Sequence, residues 1–326
     1  MPLISIVSPV YNEEACLPEF CRRAHGALSA ITEDYEIVLV DDGSRDTSWS
    51  LISQEAARDA RVRGVRFSRN FGHHTALLAG LDQCTGDYVV TLDSDLQDQP
   101  EEIARLYQQA QEGYDVVLAL REGRQHRFLK RLLAQAFYAL FNRLSDGGYD
   151  PKVGVYRMMS RRVVVELARM RENARFFSGL VDWVGFKRTA ITVTHAERFA
   201  GETKYPLARQ LRLAFDAILG YTERPLRMAV YLGLVFAAIG ALWAIRVIVG
   251  ALMGTIGVAG YASIMAAILI VGGMNIATVG VVGLYVGRIF REVKRRPLYV
   301  IAETCNVGGK TALSEAIHLN KLGANT

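Results

Sequence analysis

The chain has 326 residues, 51% of them hydrophobic, and a formal net charge of +5. The length accommodates one large domain or two, and a mean hydropathy of +0.14 is high for a purely soluble enzyme. The charge is modest, and no basic stripe with interleaved aromatics and no DNA-binding motif accompanies it, so nucleic acid is excluded as a partner.

The opening stretch, "MPLISIVSPVYNEE", lacks a basic leader and enters a strand at once, so it does not read as a signal peptide. Apolar runs predict strands at Leu3–Ser8, Tyr35–Val40, Val62–Ser68, Asp87–Leu92 and Asp115–Leu120. Helical patterns near Glu13–Ala30, Thr47–Asp59, His74–Cys84 and Pro100–Glu112 lie between them. Repeated βαβ units place the chain in the α/β class, with a mainly parallel sheet covered on both faces. Ligands of such sheets bind beyond the carboxyl ends of the strands. Two strands end there in acid. "IVLVDDGS" (37–44) closes with Asp41 and Asp42, and "VVTLDSDLQDQPEE" (89–102) carries Asp93 and Asp95. Residues two apart at a strand end share a face. Such a carboxylate pair suits Mg²⁺ or Mn²⁺, which take one or two protein carboxylates beside substrate phosphates. Asp41 and Asp42 can accept hydrogen bonds from ribose hydroxyls and a base N–H. Alone, each motif is also an ordinary turn; two acidic ends in one sheet favour a nucleotide site.

Further along, 127–144 and 207–221 keep their apolar residues at helical spacing and are rich in Lys and Arg. They read as helices lying in a membrane interface, against the alternative of core packing. From Met228 to Gly287 the only charged residue is Arg246. At about 1.5 Å per residue, one helix of that length far exceeds the roughly 30 Å hydrocarbon core. Two crossings, Met228–Met253 and Tyr261–Gly287, fit, with Gly254, Gly257 and Gly260 at the turn. Arg224 and Arg227 precede them, and Arg288, Arg291, Lys294, Arg295 and Arg296 follow. The loop between is uncharged, so both ends are expected in the cytoplasm, with Arg246 snorkelling at the far end of the first crossing. Asn275 and the adjacent glycines suit helix–helix packing. The tail from Pro297 begins strand-like and ends polar, which leaves pairing with another subunit or partial disorder open. Cys16, Cys21, Cys84 and Cys305 lack metal-ligand spacing and read as reduced thiols. His73 and His74 are adjacent and do not share a helix face, which argues against a metal site.

"PVYNEE" (9–14), "DDGS" (41–44), "RNFGHHTALLAG" (69–80), "DSDLQDQP" (93–100) and "AERFAGETKY" (196–205) occur in this order before the apolar segment. Together they resemble family 2 glycosyltransferases, specifically the polyprenyl-phosphate type to which bactoprenol glucosyltransferase and dolichyl-phosphate mannose synthase belong. The resemblance covers nearly all of residues 1–300. It implies a GT-A, Rossmann-like catalytic domain at 1–206, a juxtamembrane amphipathic helix at 207–225, a transmembrane hairpin at 226–290 and a cytoplasmic tail at 291–326. Pro9, Tyr11 and Glu13 would frame the nucleotide pocket, with Asp41 or Asp42 touching uridine or ribose. Asp93 and Asp95 would hold Mg²⁺ or Mn²⁺, Asp95 foremost, and Gln97 and Asp98 would face sugar and acceptor. Arg198, Thr203 and Lys204 match the stretch that receives phosphate near the membrane; two cations and a hydroxyl around Gly201 suit that ligand.

The same resemblance implies inverting transfer of one sugar to a polyprenyl phosphate such as undecaprenyl phosphate. Glucose from UDP-glucose is the first expectation; UDP-amino-arabinose, UDP-hexosamine and GDP-mannose stay open. An inner-membrane homo-oligomer, a tetramer, with a cytoplasmic catalytic domain is expected. One departure stands out. Where relatives often read Gly-Asp-Phe-Arg, this chain has "GVYR" at 154–157, with Asp146 and Asp150 as the nearest substitutes. A phosphate monoester with a second pKa of about 6 is already largely dianionic at neutral pH, so a base is dispensable. Rival readings are a processive polysaccharide synthase, which lacks support because none of the three tryptophans sits in a Gln-x-x-Arg-Trp motif, a non-catalytic membrane scaffold, and a transporter.

Overall fold

The computed structural model describes residues 2–121, 153–172, 177–194, 224–253, 260–294 and 296–308. They fall into two compact units, one holding the sheet together with 296–308 and the other holding the two long helices.

The sheet unit begins with three strand–helix repeats: β1 (Ile4–Val10), α1 (Leu17–Ser29), β2 (Tyr35–Asp41), α2 (Ser48–Arg58), β3 (Val62–Phe67) and α3 (His73–Gln83). β4 (Tyr88–Thr91), a short 3₁₀ turn at Pro100–Glu102, α4 (Ile103–Gln111) and β5 (Val116–Arg121) follow. Every residue of β1 and β2 is buried, as expected for central strands covered on both faces. Alternation divides the core. Ile37 and Leu39 join Ile4, Ile6, Phe20 and Ile52 on one face, while Val38 and Val40 join Val7, Leu77 and Leu81 on the other. These elements stand where the hydrophobic pattern predicts them, with ends shifted by a few residues.

Four elements escape that pattern: β6 (Val153–Ser160), α5 (Arg161–Arg169), α6 (Phe177–Val184) and β7 (Arg188–Val193). The sheet order is β7-β5-β6-β4-β1-β2-β3-β8. Pairs β1–β2, β1–β4, β2–β3 and β5–β7 are parallel. β6 runs antiparallel to both neighbours, and β8 (Ile301–Cys305) runs antiparallel to β3. The tail strand thus pairs within the sheet of its own chain over 301–305 and forms one edge of it. Several long-range contacts seat it. Tyr299 stacks on Phe67 with centroids 5.0 Å apart and donates to Asp82 at 2.5 Å. Asn306 donates to the carbonyls of Ala56 and Val62 at 2.6 and 2.9 Å.

The second unit consists of α7 (Arg224–Leu252) and α8 (Tyr261–Val293). Each contains a window long and apolar enough to cross a membrane, Leu226–Trp243 and Ile270–Val293, and neither window is buried. Leu242, Trp243, Ile276 and Val279 are among the exposed apolar side chains. The interfacial segments 127–144 and 207–221, the turn glycines Gly254 and Gly257, and Asp146, Asp150, Arg198, Thr203 and Lys204 lie outside the described residues.

Candidate active site

β1, β2 and β4 are neighbours and run parallel, so their carboxyl ends open onto one edge of the sheet. That edge collects Tyr11 and Glu13 after β1, Asp41 and Asp42 at β2, and Asp93 and Asp95 after β4. Ser94, between the two metal candidates, donates to the carbonyl of Pro9 at 3.0 Å and ties the end of β4 to that of β1. Pro9 is therefore a buried frame residue, while Tyr11 is 43% exposed and offers its ring at the rim.

The loops after β1 and β2 are stitched together. The amide of Asn12 donates to Ser44 Oγ, and the amide of Glu13 donates to Ser48 Oγ, both at 3.0 Å. Asn12 Oδ1 accepts from the Arg45 amide at 2.9 Å, and Glu14 accepts from the amide and hydroxyl of Thr47 at the start of α2. Asn12 holds φ of 54°, a left-handed conformation that Asn tolerates better than most residues. Glu13 thus reaches the site through its backbone anchor, with "PVYNEE" and "DDGS" acting as one unit.

Asp41 and Asp42 part company. Asp42 accepts from the amides of Phe71 and Gly72 at 2.6 and 2.9 Å, holding the loop before α3 against the end of β2. Gly43, at φ of 70°, makes this possible, because a Cβ there would meet the Arg69 carbonyl carbon at 2.5 Å. Asp41 keeps Oδ1 on the Ser44 amide at 2.9 Å, and Oδ2 faces Arg66 Nε at 3.5 Å. Burial raises the pKa of both carboxyls. The Ser44 hydroxyl and amide and the Arg66 charge oppose the rise at Asp41, and the Phe71 and Gly72 amides oppose it at Asp42.

The β4 acids sit in a different setting. Asp93 and Asp95 are half-buried, and Asp95 Oδ1 accepts from the Gln97 amide at 3.1 Å. Leu96, buried between them and Gln97, has φ of 63°. A left-handed leucine costs on the order of 1–3 kcal/mol, strain that concentrates where a site over-determines the backbone. His73, at the start of α3, brings Nε2 to 3.4 Å from Asp93 Oδ1. The pair rule for helices says nothing about a histidine reaching across to another strand; the nearby "DSD" was the available signal. Gln97 is half-buried beside this turn, while Asp98 is turned inward at 1% exposure. Next to Asp98 lies Tyr156, whose hydroxyl donates to the Gln99 carbonyl at 2.9 Å and whose pKa is raised by burial and then by the Asp98 charge.

"GVYR" occupies β6 beside β4. Thr91 donates to the Val155 carbonyl at 2.5 Å, so the position lacking an acid flanks the strand that leads to Asp93. Arg157 pairs in register with Thr91 and is fully buried. Its guanidinium donates to the Gly154 carbonyl and Ser178 Oγ and lies 5.0 Å from the Phe177 ring centroid. Sequence reasoning passed over Arg157 and Arg66 alike.

Among the described residues no group of three or more His, Cys, Asp or Glu is set to hold a metal ion. The described residues therefore offer no complete protein cage. Two hard carboxylates at a strand end fit an ion that takes its remaining ligands from phosphate and water.

Comparison with known proteins follows the same lines. The profile described as "Glycosyl transferase family 2" matches residues 5–167. The chain is 39% identical over 307 residues to "Uncharacterized glycosyltransferase YkcC" of Bacillus subtilis (strain 168), covering 94% of this chain and 95% of that one. It is also 39% identical to "Prophage bactoprenol glucosyl transferase homolog" of Escherichia coli (strain K12), covering 91% and 98%. Against "Bactoprenol glucosyl transferase" of Shigella phage SfII the identity is 39%, covering 92% and 98%. Among solved structures, glucosyl-3-phosphoglycerate synthase from Mycobacterium tuberculosis in complex with Mn²⁺, uridine-diphosphate and phosphoglyceric acid aligns at 19% identity. Its TM-score is 0.49, over 67% of this chain and 76% of that one.

Proposed function

The chain belongs to glycosyltransferase family 2, and from that footing we propose that it transfers one sugar from a nucleotide sugar to the phosphate of a membrane polyprenyl phosphate. The observation that carries the reading is the single sheet edge where Asp41 and the Asp93/Asp95 pair flank β1. The relatives named for bactoprenol glucosyl transfer, matched over nearly their whole length, support the lipid acceptor. The two long apolar helices suit an enzyme whose acceptor lives in a bilayer. UDP-glucose is the first donor to test.

In this reading the nucleotide lies across the end of β1. The Tyr11 ring covers the base, and Asp41 accepts a hydrogen bond from the base or ribose. Asp93 and Asp95 are the residues that would hold Mg²⁺ or Mn²⁺, which supplies positive charge for the departing diphosphate. Leu96 and Ser94 fix the direction in which the two carboxylates point. Gln97 stands beside the sugar. An oxygen of the acceptor phosphate forms a bond to the anomeric carbon as the bond from that carbon to the diphosphate breaks. A single displacement of this kind inverts the anomeric centre. Val155 removes a base that a dianionic phosphate does not need. Arg198, Thr203 and Lys204 receive phosphate at headgroup level. The catalytic unit and both ends of the helical pair face the cytoplasm, because the flanking Lys and Arg lie on that side. A homo-oligomeric assembly belongs to the same proposal.

The test is incubation of the purified protein with polyprenyl phosphate, Mg²⁺ or Mn²⁺ and a panel of nucleotide sugars, with mass spectrometry of the lipid product. A glycosylated polyprenyl phosphate from one donor is the expected result. Val155 favours a second reading, a non-catalytic scaffold; metal-dependent UDP binding with no lipid product from any donor would establish it.

A further inference from the structure

We infer that Glu303, on the strand formed after the second long helix, is a positioning residue for the donor site that holds Arg66 against Asp41. The inference rests on the reading of Asp41 as a nucleotide contact. Asp41 of β2 is the register partner of Arg66 of β3, and Arg66 is the register partner of Glu303 of β8. Side chains at paired positions leave a sheet on the same face. The three therefore form one row across three strands, acid, base, acid.

The two ends of the guanidinium are used separately. Arg66 Nε lies 3.5 Å from Asp41 Oδ2, and Arg66 Nη1 donates to Glu303 Oε1 at 2.7 Å. The rigid fork of arginine suits such a bridge. Trp49 of α2 closes the row from above. Its Nε1 donates to Glu303 Oε2 at 2.9 Å, and its ring centroid lies 5.8 Å from the Arg66 guanidinium. The Trp49 hydrogen bond and Arg66 together keep the Glu303 carboxyl below the usual carboxylate range, so it carries its charge at neutral pH.

The need for the row comes from Asp41. It is fully buried, and its Oδ1 is already used by the Ser44 amide. A buried carboxylate is the stronger acceptor when ionised, and a positive neighbour, added to the Ser44 hydrogen bonds, favours that form. Arg66 is that neighbour, but its side chain is about one-third exposed at 34% and has many rotamers open to solvent. Glu303 and Trp49 select the one that reaches Asp41. The segment that follows the second long helix in the chain thus tunes the grip on the nucleotide.

The test uses the full-length protein and calorimetric titration with UDP and Mn²⁺. Wild type is compared with Glu303→Gln, Arg66→Met and the double variant, each with its Tm. Glutamine retains an oxygen for Trp49 Nε1 while removing the charge. Glu303→Gln is expected to weaken UDP binding roughly fivefold, the scale of one partly exposed ion pair, with Tm unchanged. In the Arg66→Met background the same substitution is expected to cost nothing further. Wild-type affinity in Glu303→Gln, or an equal loss in both backgrounds, overturns the positioning role and leaves the function reading standing. Should Glu303→Gln lower Tm, the double variant still decides, since a merely structural strand residue weakens binding whether or not Arg66 is present. A wild-type protein that binds neither UDP nor GDP overturns the function reading and this inference with it.

Discussion

The ends of β2 and β4 make an instructive pair. Both carry two aspartates, both stop at the same edge of one sheet, and only β1 separates them. Yet Asp41 and Asp42 are almost wholly inside, at 0% and 3% exposure, while the Asp93 side chain is 28% exposed. At β2 the carboxylate oxygens are met by backbone amides of neighbouring loops. At β4 they stand on a turn bent by a left-handed leucine, with a histidine ring alongside. An interior acid, with its pKa raised by burial, suits a fixed hydrogen bond to a neutral N–H or O–H. A half-exposed pair suits a cation that brings phosphate and water as its other ligands. Identical side chains are thus given different chemistry by their burial and by the backbone beneath them.

The sharpest way to break this contrast is Asp95→Asn. It is expected to lower glycolipid formation by about a hundredfold or more, the scale of losing an electrostatic stabiliser of a leaving group, without lowering Tm. Full-rate activity of the wild type in excess chelator would sink the cation role. On the β2 side, Asp42→Ala is expected to act on the fold. Two amides at the start of α3 lose their acceptor, and an unsatisfied buried group costs about 1–3 kcal/mol. Denaturant unfolding should show that loss, with activity in the surviving folded fraction reduced far less than in Asp95→Asn.

Asp41→Asn should separate binding from stability. Its folded pKa is raised, so the fold binds the proton more tightly than the unfolded chain does. The stability contributed by this group is therefore present below the unfolded pKa and is lost as pH rises through the folded value. Removing the charge at pH 7 is expected to leave Tm level or higher while UDP affinity falls roughly tenfold, about 1.4 kcal/mol. A lower Tm together with unaltered affinity would assign Asp41 to the scaffold. The smallest effect is expected at His73→Ala. An exposed His near a carboxylate is worth little, so a two- to fivefold loss of rate, roughly, is expected in the transfer assay, and a larger one would make His73 a full partner of the β4 pair.

Much of this arrangement was legible beforehand. Runs such as "EIVLV" and "DYVVTL" are short, apolar and rich in β-branched residues, the pattern of buried strands. Asp41 and Asp93 follow such runs directly, so their place at a strand end needed no coordinates. What stayed hidden was which acid does what. "DDGS" looks symmetrical in sequence, and only the loop at Phe71 and Gly72, 29 and 30 residues further on, takes Asp42 out of play. The adjacency of His73 and His74 argues only against a shared helix face and says nothing of the strand end that His73 faces.

By itself the sequence determined the α/β class, the order of its first nine elements, the two apolar helices and the acidic strand ends. All of these follow from periodicity, turn residues and composition within short windows. Only the tertiary structure decided that β6 enters between β4 and β5 in the opposite direction, and that β8 returns to pair with β3. It alone put Glu303 against Arg66, residues 237 apart in the chain. Strand pairing at that distance depends on which edge is left open and in what register. Neither is written in the local alternation of the strand that fills it.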